Sequence, residues 1–364
     1  MQIAHTDTCQ KQKPLRIAAI DIGTMSTRLM IADVSVEDCV SAGVDDSVQA
    51  QSSGQKTSRV IRELYRDLRV TQLGLGLNVS GLLSSKGVSS VLAALGEYVQ
   101  LTEQFQVDDL ICVATSAIRD AKNASLLTDA AMELGIDVVI IPGEVEAQLA
   151  FLGATYEPRT TKAGAGEAAE GAGALDLLPT LVVDSGGGST ELALGRVRNA
   201  KAEIIALDSM QLGARRLTDM FIDGDPPRSV EVKGIRSYVQ KMSRFELQKY
   251  AGKFDRIVAV AGTATTLAAV LGKVEPYRAE AIQGCRVTRE DLENLLSLFV
   301  SKRRAEREKI VGLDPKRAGV IVAGTLILES VLDALGCEEF YVSDRDLLYG
   351  MILSALDTIP EPGN

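Results

Sequence analysis

Asp21–Arg28, DIGTMSTR, and Asp184–Glu191, DSGGGSTE, are the two stretches on which the fold turns. Each follows a short apolar run rich in β-branched residues, IAAI before the first and LVV before the second. Each then continues as an acidic residue at a strand end, a glycine turn, and hydroxyl side chains. Glycine lets the backbone bend tightly and brings N–H groups close to an anion. Ser and Thr hydroxyls add donors, and the Asp can hold a hydrated Mg²⁺. Three consecutive glycines suit an ordinary hairpin poorly, so the second stretch points to phosphate more sharply than the first; the alternative is a tight β-hairpin with no ligand. Two such hairpins in one chain predict two similar half-domains that close on a phosphate chain from opposite sides.

The rest of the sequence bounds that reading. At 364 residues the chain is long enough for two domains, each with its own core. Its 46% hydrophobic and 24% charged content is that of an ordinary globular protein. The start, MQIAHTDTCQKQK, is polar and carries no cleavage pattern, and no apolar run approaches the roughly 18 residues of a membrane span, so a cytoplasmic location is expected. The five cysteines are scattered with no CxxC spacing, which fits reduced thiols. A net charge of −10 argues against a general nucleic-acid surface. His5, in the polar tail, is the one histidine, so a histidine metal centre or catalytic dyad is excluded. Catalysis has to run on carboxylates, hydroxyls, backbone amides, Arg or Lys, and a hard metal.

Working outward, residues 1–13 are expected to be a flexible tail before Pro14. LRIAAIDIGT and RLMIADV predict a β-hairpin. Residues 35–58, rich in Ser, Gln and Asp, read as a solvated insertion. A helix follows from Val88, then a strand through Cys112–Ala114 into a turn and helix. The strand at 137–141 meets a Pro-Gly turn, and a helix opens with Glu144 and Glu146. The Gly/Ala/Glu stretch at 156–180 reads as an exposed low-complexity loop. The hairpin grammar then returns around Asp184, as an internal duplication. A third strand, Gly-Thr turn and helix covers 256–272. VTREDLENLLSLFV predicts an amphipathic helix capped by Thr288 and Asp291, and the basic run Lys302–Lys309 a solvated helix face. A helix, a strand in EEFYVSD and a closing helix end the chain.

These segments resemble the Ppx/GppA phosphatases, that is, exopolyphosphatases and guanosine pentaphosphate phosphohydrolases. The resemblance rests on DIGTMSTR, ATSAIRDAKN (114–123), IPGEVEAQLAFLGA (141–154) and DSGGGSTEL, and continues through LGARRLTDMFIDGDPP (212–227), AGTATTLAAV and VSDRDLLYG. It covers essentially the whole chain outside the tail and the two insertions, and looks most like the short form of actinobacteria and their relatives. It implies an α/β fold of the actin and sugar-kinase superfamily. Two ribonuclease-H-like domains, 14–140 and 141–364, would flank a cleft, with the last helix packing back on the first domain.

The resemblance also implies roles. Glu146 would activate the attacking water, and its place in the first turn of a helix favours the ionised carboxylate a base needs. Taken alone, Glu144 and Glu146 read equally well as ordinary helix-start charges. Asp21 and Asp184 would hold Mg²⁺ directly or through water, with Glu191 supporting them. Gly23, Thr24, Ser26, Gly187, Gly188 and Ser189 would bind phosphate, joined by the turn at Gly262 and Thr263. Arg28 and Arg119 are either cationic contacts or ordinary ion pairs, and Thr115 and Ser116 either phosphate donors or turn residues.

The implied reaction is hydrolysis of a terminal phosphoanhydride of polyphosphate or guanosine pentaphosphate, with no nucleic-acid or membrane partner; homodimers are frequent in the family. The alternatives are an ATP-dependent small-molecule kinase of the same superfamily and a phosphate or nucleotide sensor without catalysis. The chain departs from the family pattern at Met25 (usually Asn), Gln72 (Arg), Val145 (Glu), Gln148 (Arg) and Ser185 (Ile), and Arg317-Ala318-Gly319 lacks the usual acidic residue. These changes thin the polar and cationic groups while keeping the carboxylates.

Overall fold

A computed structural model describes residues 14–38, 57–157, 178–198 and 201–358. The expected tail and most of the stretches at 35–58 and 156–180 lie outside these residues.

Two mixed sheets organise the chain. In the first, β1 (Leu15–Ile22), β2 (Thr27–Asp38) and β3 (Thr57–Arg69) form an antiparallel meander. β4 (Asp109–Ala114) and β5 (Val138–Ile140) then run parallel to β1 on its other side, giving the order β3-β2-β1-β4-β5. The second sheet repeats this wiring. β6 (Thr180–Ser185), β7 (Thr190–Arg198) and β8 (Lys201–Met210) are the meander, β9 (Arg256–Val260) runs parallel to β6, and β10 (Arg286–Thr288) and β11 (Glu339–Val342) complete it. Its order is β10-β11-β9-β6-β7-β8, so the core strands follow the same plan in both halves. That is the duplicated ribonuclease-H-like architecture expected from the sequence.

Each parallel crossover needs a helix, and the helices cover the outer faces. Ala18, Ile20 and Ile22 of β1 pack under the Ser85–Gln104 and Ser125–Glu133 helices with Val91, Leu95 and Leu127. Leu181 and Val183 of β6 pack with Leu267, Ile327 and Val331 of the Ala261–Leu271 and Ile321–Leu335 helices. The central strands are buried on both sides, which explains their near-continuous apolar reading.

Two helices lie between the sheets. Gly143–Ala154, which follows the first sheet, packs on the second through Ala147, Ala150 and Phe151 against Val182, Ala193 and Val258. Leu347–Thr358, which follows the second sheet, packs on the first through Leu348 and Ile352 against Ile17, Ala19 and Met30. These helices cross at Gly153 and Gly350, where any Cβ would overlap the carbonyls of Asp346 and Leu149 respectively.

Several local expectations need correction. β2 continues to Asp38 and β3 begins at Thr57, so both ends of the expected 35–58 insertion are paired strand. β3 and β8 themselves were not foreseen. They are the outer strands of the two meanders, and β3 carries the frequent charges that suit an exposed sheet edge rather than clean alternation. The helix expected from Val88 starts at Ser85, where the Ser84 hydroxyl accepts from the Gly87 amide at 3.1 Å. Thr288 and Asp291 form a reciprocal cap, with bonds of 2.9 and 3.1 Å. In the basic run, Arg307 is buried and donates to the carbonyls of Ala318, Phe299 and Lys302, bracing the chain instead of facing solvent. Cys112, Cys285 and Cys337 are free thiols. Among the described residues, no helix is long and apolar enough to cross a membrane.

Candidate active site between the two hairpins

The turns of the two hairpins superpose residue for residue in their bonding. The Gly23 amide donates to the Ser26 carbonyl at 2.9 Å, and the Gly186 amide to the Ser189 carbonyl at 3.0 Å. Each turn is braced by the segment that follows the third strand of its own meander. The Thr71, Gln72 and Gly74 amides donate to the carbonyls of Met25 and Thr24, while those of Ala214, Arg215 and Arg216 donate to Gly186 and Gly187. A Gln-Leu-Gly triplet recurs there: at 72–74 it carries two of the bracing amides, and at 211–213 it directly precedes them. That repeat was visible in the sequence and is the signal that could have located these braces.

The hairpins face each other across a cleft. Asp21, Gly23, Thr24, Ser26, Arg28, Glu146, Asp184, Gly187, Gly188, Ser189, Gly262 and Thr263 all line it. Two predicted residues do not. Arg119 lies behind Glu146, donating from one nitrogen to Glu146 Oε2 at 2.6 Å and to the Ile141 carbonyl at 2.9 Å. Glu191 is buried behind the cleft wall, accepting from the Ser209 hydroxyl at 2.9 Å, with Arg119 Nη2 at 3.7 Å. Thr115 and Ser116 also line the cleft.

Electrostatics divide the acids into different environments. Arg28 donates to Asp21 Oδ2 through Nε at 2.8 Å and Nη2 at 2.6 Å, and through Nη1 to Asp346. Asp21 Oδ1 is buried with no partner. Burial raises the Asp21 pKa, and the Arg28 charge opposes that rise. Asp184 lies opposite Glu191 on the neighbouring strand. Burial, and then repulsion from Glu146 among other acids, holds both well above the usual carboxylate range. Glu146 is pushed up to about 7, chiefly by burial, with Arg119 pulling it back. A carboxyl tuned there is suited to proton transfer near neutral pH.

Sequence reasoning treated Arg317 only as part of an incomplete motif. Its guanidinium packs against Gly262 on the cleft wall and has no ion pair among the described residues; burial lowers its pKa. Met25, where the family usually has Asn, packs on Ala214 and Val320 and forms an apolar contact between the halves. Among the described residues, no three acidic side chains converge as a closed metal cage.

Comparison with known proteins bears on the family and the fold. The model of the Ppx/GppA phosphatase family matches residues 48–359. Exopolyphosphatase 2 of Mycobacterium tuberculosis is 32% identical over 350 residues, covering 93% of this chain and 98% of that protein. The crystal structure of the Aquifex aeolicus Ppx/GppA family member superposes with a TM-score of 0.70 at 29% identity, covering 95% of this chain and 99% of that one. An exopolyphosphatase structure from Cytophaga hutchinsonii shares the fold with a TM-score of 0.76 at 24% identity, covering 95% and 99% of the two chains.

Proposed function

The chain belongs to the Ppx/GppA phosphatase family, and from that premise we propose that it hydrolyses the terminal phosphoanhydride of inorganic polyphosphate, with guanosine pentaphosphate as the second candidate substrate. The observation that carries this reading is Glu146. It lies in the first turn of its helix, in the wall of a cleft flanked by two glycine hairpins, with its acidity near neutrality and Arg119 fixing one oxygen.

The terminal phosphate would lie between the two turns, its non-bridging oxygens taken up by their amides and hydroxyls. Arg317 adds positive charge on the cleft wall, and Arg28, held by Asp21 and Asp346, lines the same cleft. Glu146 orients a water in line with the scissile bond and takes its proton as the water attacks the terminal phosphorus; the P–O bond to the chain breaks, the shortened chain leaves through its own phosphate oxygen, and the terminal group is released as orthophosphate. Positioning and charge stabilisation supply most of the acceleration in such reactions. The unpartnered Asp21 Oδ1 and the carboxylate of Asp184 fit a hard divalent cation that keeps its other ligands as water and phosphate oxygen. Bound there, Mg²⁺ would neutralise charge on the phosphates.

The test is phosphate release by the purified protein with Mg²⁺, comparing polyphosphate, guanosine pentaphosphate and ATP, alongside Glu146→Gln. The substitution is expected to lower kcat by about 10²–10⁴-fold. Because the base acts ionised, kcat/KM of the wild type should climb with pH through about 7. Binding of phosphates without any release would overturn the hydrolase reading and leave a sensor.

A further inference from the structure

The short helix Ser116–Asp120 carries three consequences in five residues. Ser116 lines the cleft, Arg119 holds Glu146, and Asp120 reaches across to the other half of the molecule, where it pairs with Arg216. Arg216 is the last residue of the brace of the second hairpin. Its Nε donates to the Gly188 carbonyl at 2.7 Å, within the glycine turn itself, while Nη1 donates to Asn78 Oδ1 at 2.7 Å and Nη2 to Gln211 Oε1 at 2.7 Å. Asn78 returns a bond to the Arg216 carbonyl at 3.3 Å. Asp120 and Asn78 belong to the first half, and Gly188, Gln211 and Arg216 to the second. One guanidinium therefore ties the halves together while gripping the turn that faces the phosphate.

This tie lies away from the crossing of the two central helices at Gly153 and Gly350, where the backbones are in contact and the halves are joined. Motion between the halves would pivot at that crossing and be felt at the tie. Neither Asp120 nor Arg119 lines the cleft, so neither is placed to add to the binding of substrate.

We propose that Asp120 and Arg216 form a closing latch that positions the base: when the halves meet, the pair fixes the Ser116–Asp120 helix, and Arg119 on that helix then orients the carboxylate of Glu146, whose own helix packs on the second sheet. Both are positioning residues, and the inference rests on Glu146 being the base. The latch makes hydrolysis conditional on closure, because opening the cleft breaks the Asp120–Arg216 pair and frees the helix that orients Glu146. The pair is partly exposed, and an exposed ion pair adds little to stability, so its loss should be felt in alignment more than in folding.

The experiment compares wild type, Asp120→Asn, Asp120→Glu and Asp120→Ala in steady-state phosphate release. In parallel, the distance between labels on the Ser85–Gln104 and Ser229–Gln248 helices is measured with and without imidodiphosphate. Asp120→Asn and Asp120→Ala should lose kcat roughly 10- to 100-fold, the scale of a misplacement near 1 Å, with KM held near the wild-type value. Their label distance should stay longer than the wild type's in the presence of imidodiphosphate, and Asp120→Glu should recover both quantities. Unchanged kcat in Asp120→Asn and Asp120→Ala overturns the latch. So does a loss of kcat shared equally by Asp120→Glu with closure unaffected. If the wild type releases no phosphate, the proposed function fails by itself, and the label distances alone then decide whether the pair governs closure.

Discussion

The two glycine hairpins share strand register, turn bonds and a Gln-Leu-Gly brace, yet they treat their acids in opposite ways. In the first, Asp21 stands across the ladder from Arg28, and in the second, Asp184 stands across from Glu191. The first hairpin is thus internally neutralised and tied through Arg28 to Asp346, at the start of the closing helix. The second concentrates negative charge in a buried setting, where both acids resist ionisation. Like charges placed opposite one another destabilise a sheet, and sites that hold strained charge are commonly functional. The duplicated scaffold gives the acid of one hairpin a guanidinium partner and leaves the other hairpin short of positive charge.

The largest effect should come from neutralising the equivalent acids. Asp21→Asn leaves buried Arg28 with Asp346 as its remaining anion and should cost roughly 3 kcal/mol of stability. Asp184→Asn removes a penalty and should stabilise the ligand-free protein by about 1 kcal/mol at pH 8, at the expense of activity. The sign depends on pH. Asp184 and Glu191 have raised pKa values in the fold, so their contribution to stability is full below about pH 4 and is lost as pH rises through the raised values. The gain in Asp184→Asn should therefore vanish near pH 4 and grow toward pH 8 in metal-free urea melts. A destabilised Asp184→Asn at pH 8 would break the comparison.

A smaller contrast is expected at the braces. A Cβ at Gly213 would overlap the backbone of Gly187 and Gly188, whereas one at Gly74 meets first the methyl group of Thr24, which can rotate away. Gly213→Ala should cost about 3 kcal/mol and Gly74→Ala about 1 kcal/mol, read from the same melts. Equal costs would mean that the two turns are equally adaptable.

The smallest effect concerns Met25, which sits against Ala214 and Val320 in the apolar contact between the hairpins. Met25→Asn, although it restores the residue usual in the family, should lose about 1 kcal/mol of stability by burying an unpaired amide, with no improvement in KM. Tighter substrate binding in this variant would show that the amide reaches phosphate.

The hairpins and the duplication were legible because they depend on local chemistry: apolar runs that must be buried, glycines that permit a turn, acids at strand ends. The outer strands β3 and β8 were not, because an edge strand is held by its neighbour's backbone and can carry charges that hide its alternation. Among the site residues, composition and motif drew attention to Asp21, Glu146 and Asp184. Only packing revealed that Arg119 serves Glu146, that Glu191 stands behind the cleft wall, and that Arg317 brings to it a guanidinium with no ion pair among the described residues.

What the sequence determined by itself, then, was the pair of glycine turns and the restriction of chemistry to carboxylates, arginines and backbone amides, since residue type and local backbone freedom set both. The tertiary structure decided which acid is neutralised, which is strained, and which arginines reach the cleft. Those outcomes depend on charges brought together from distant parts of the chain, at distances and in a degree of burial that no local pattern encodes.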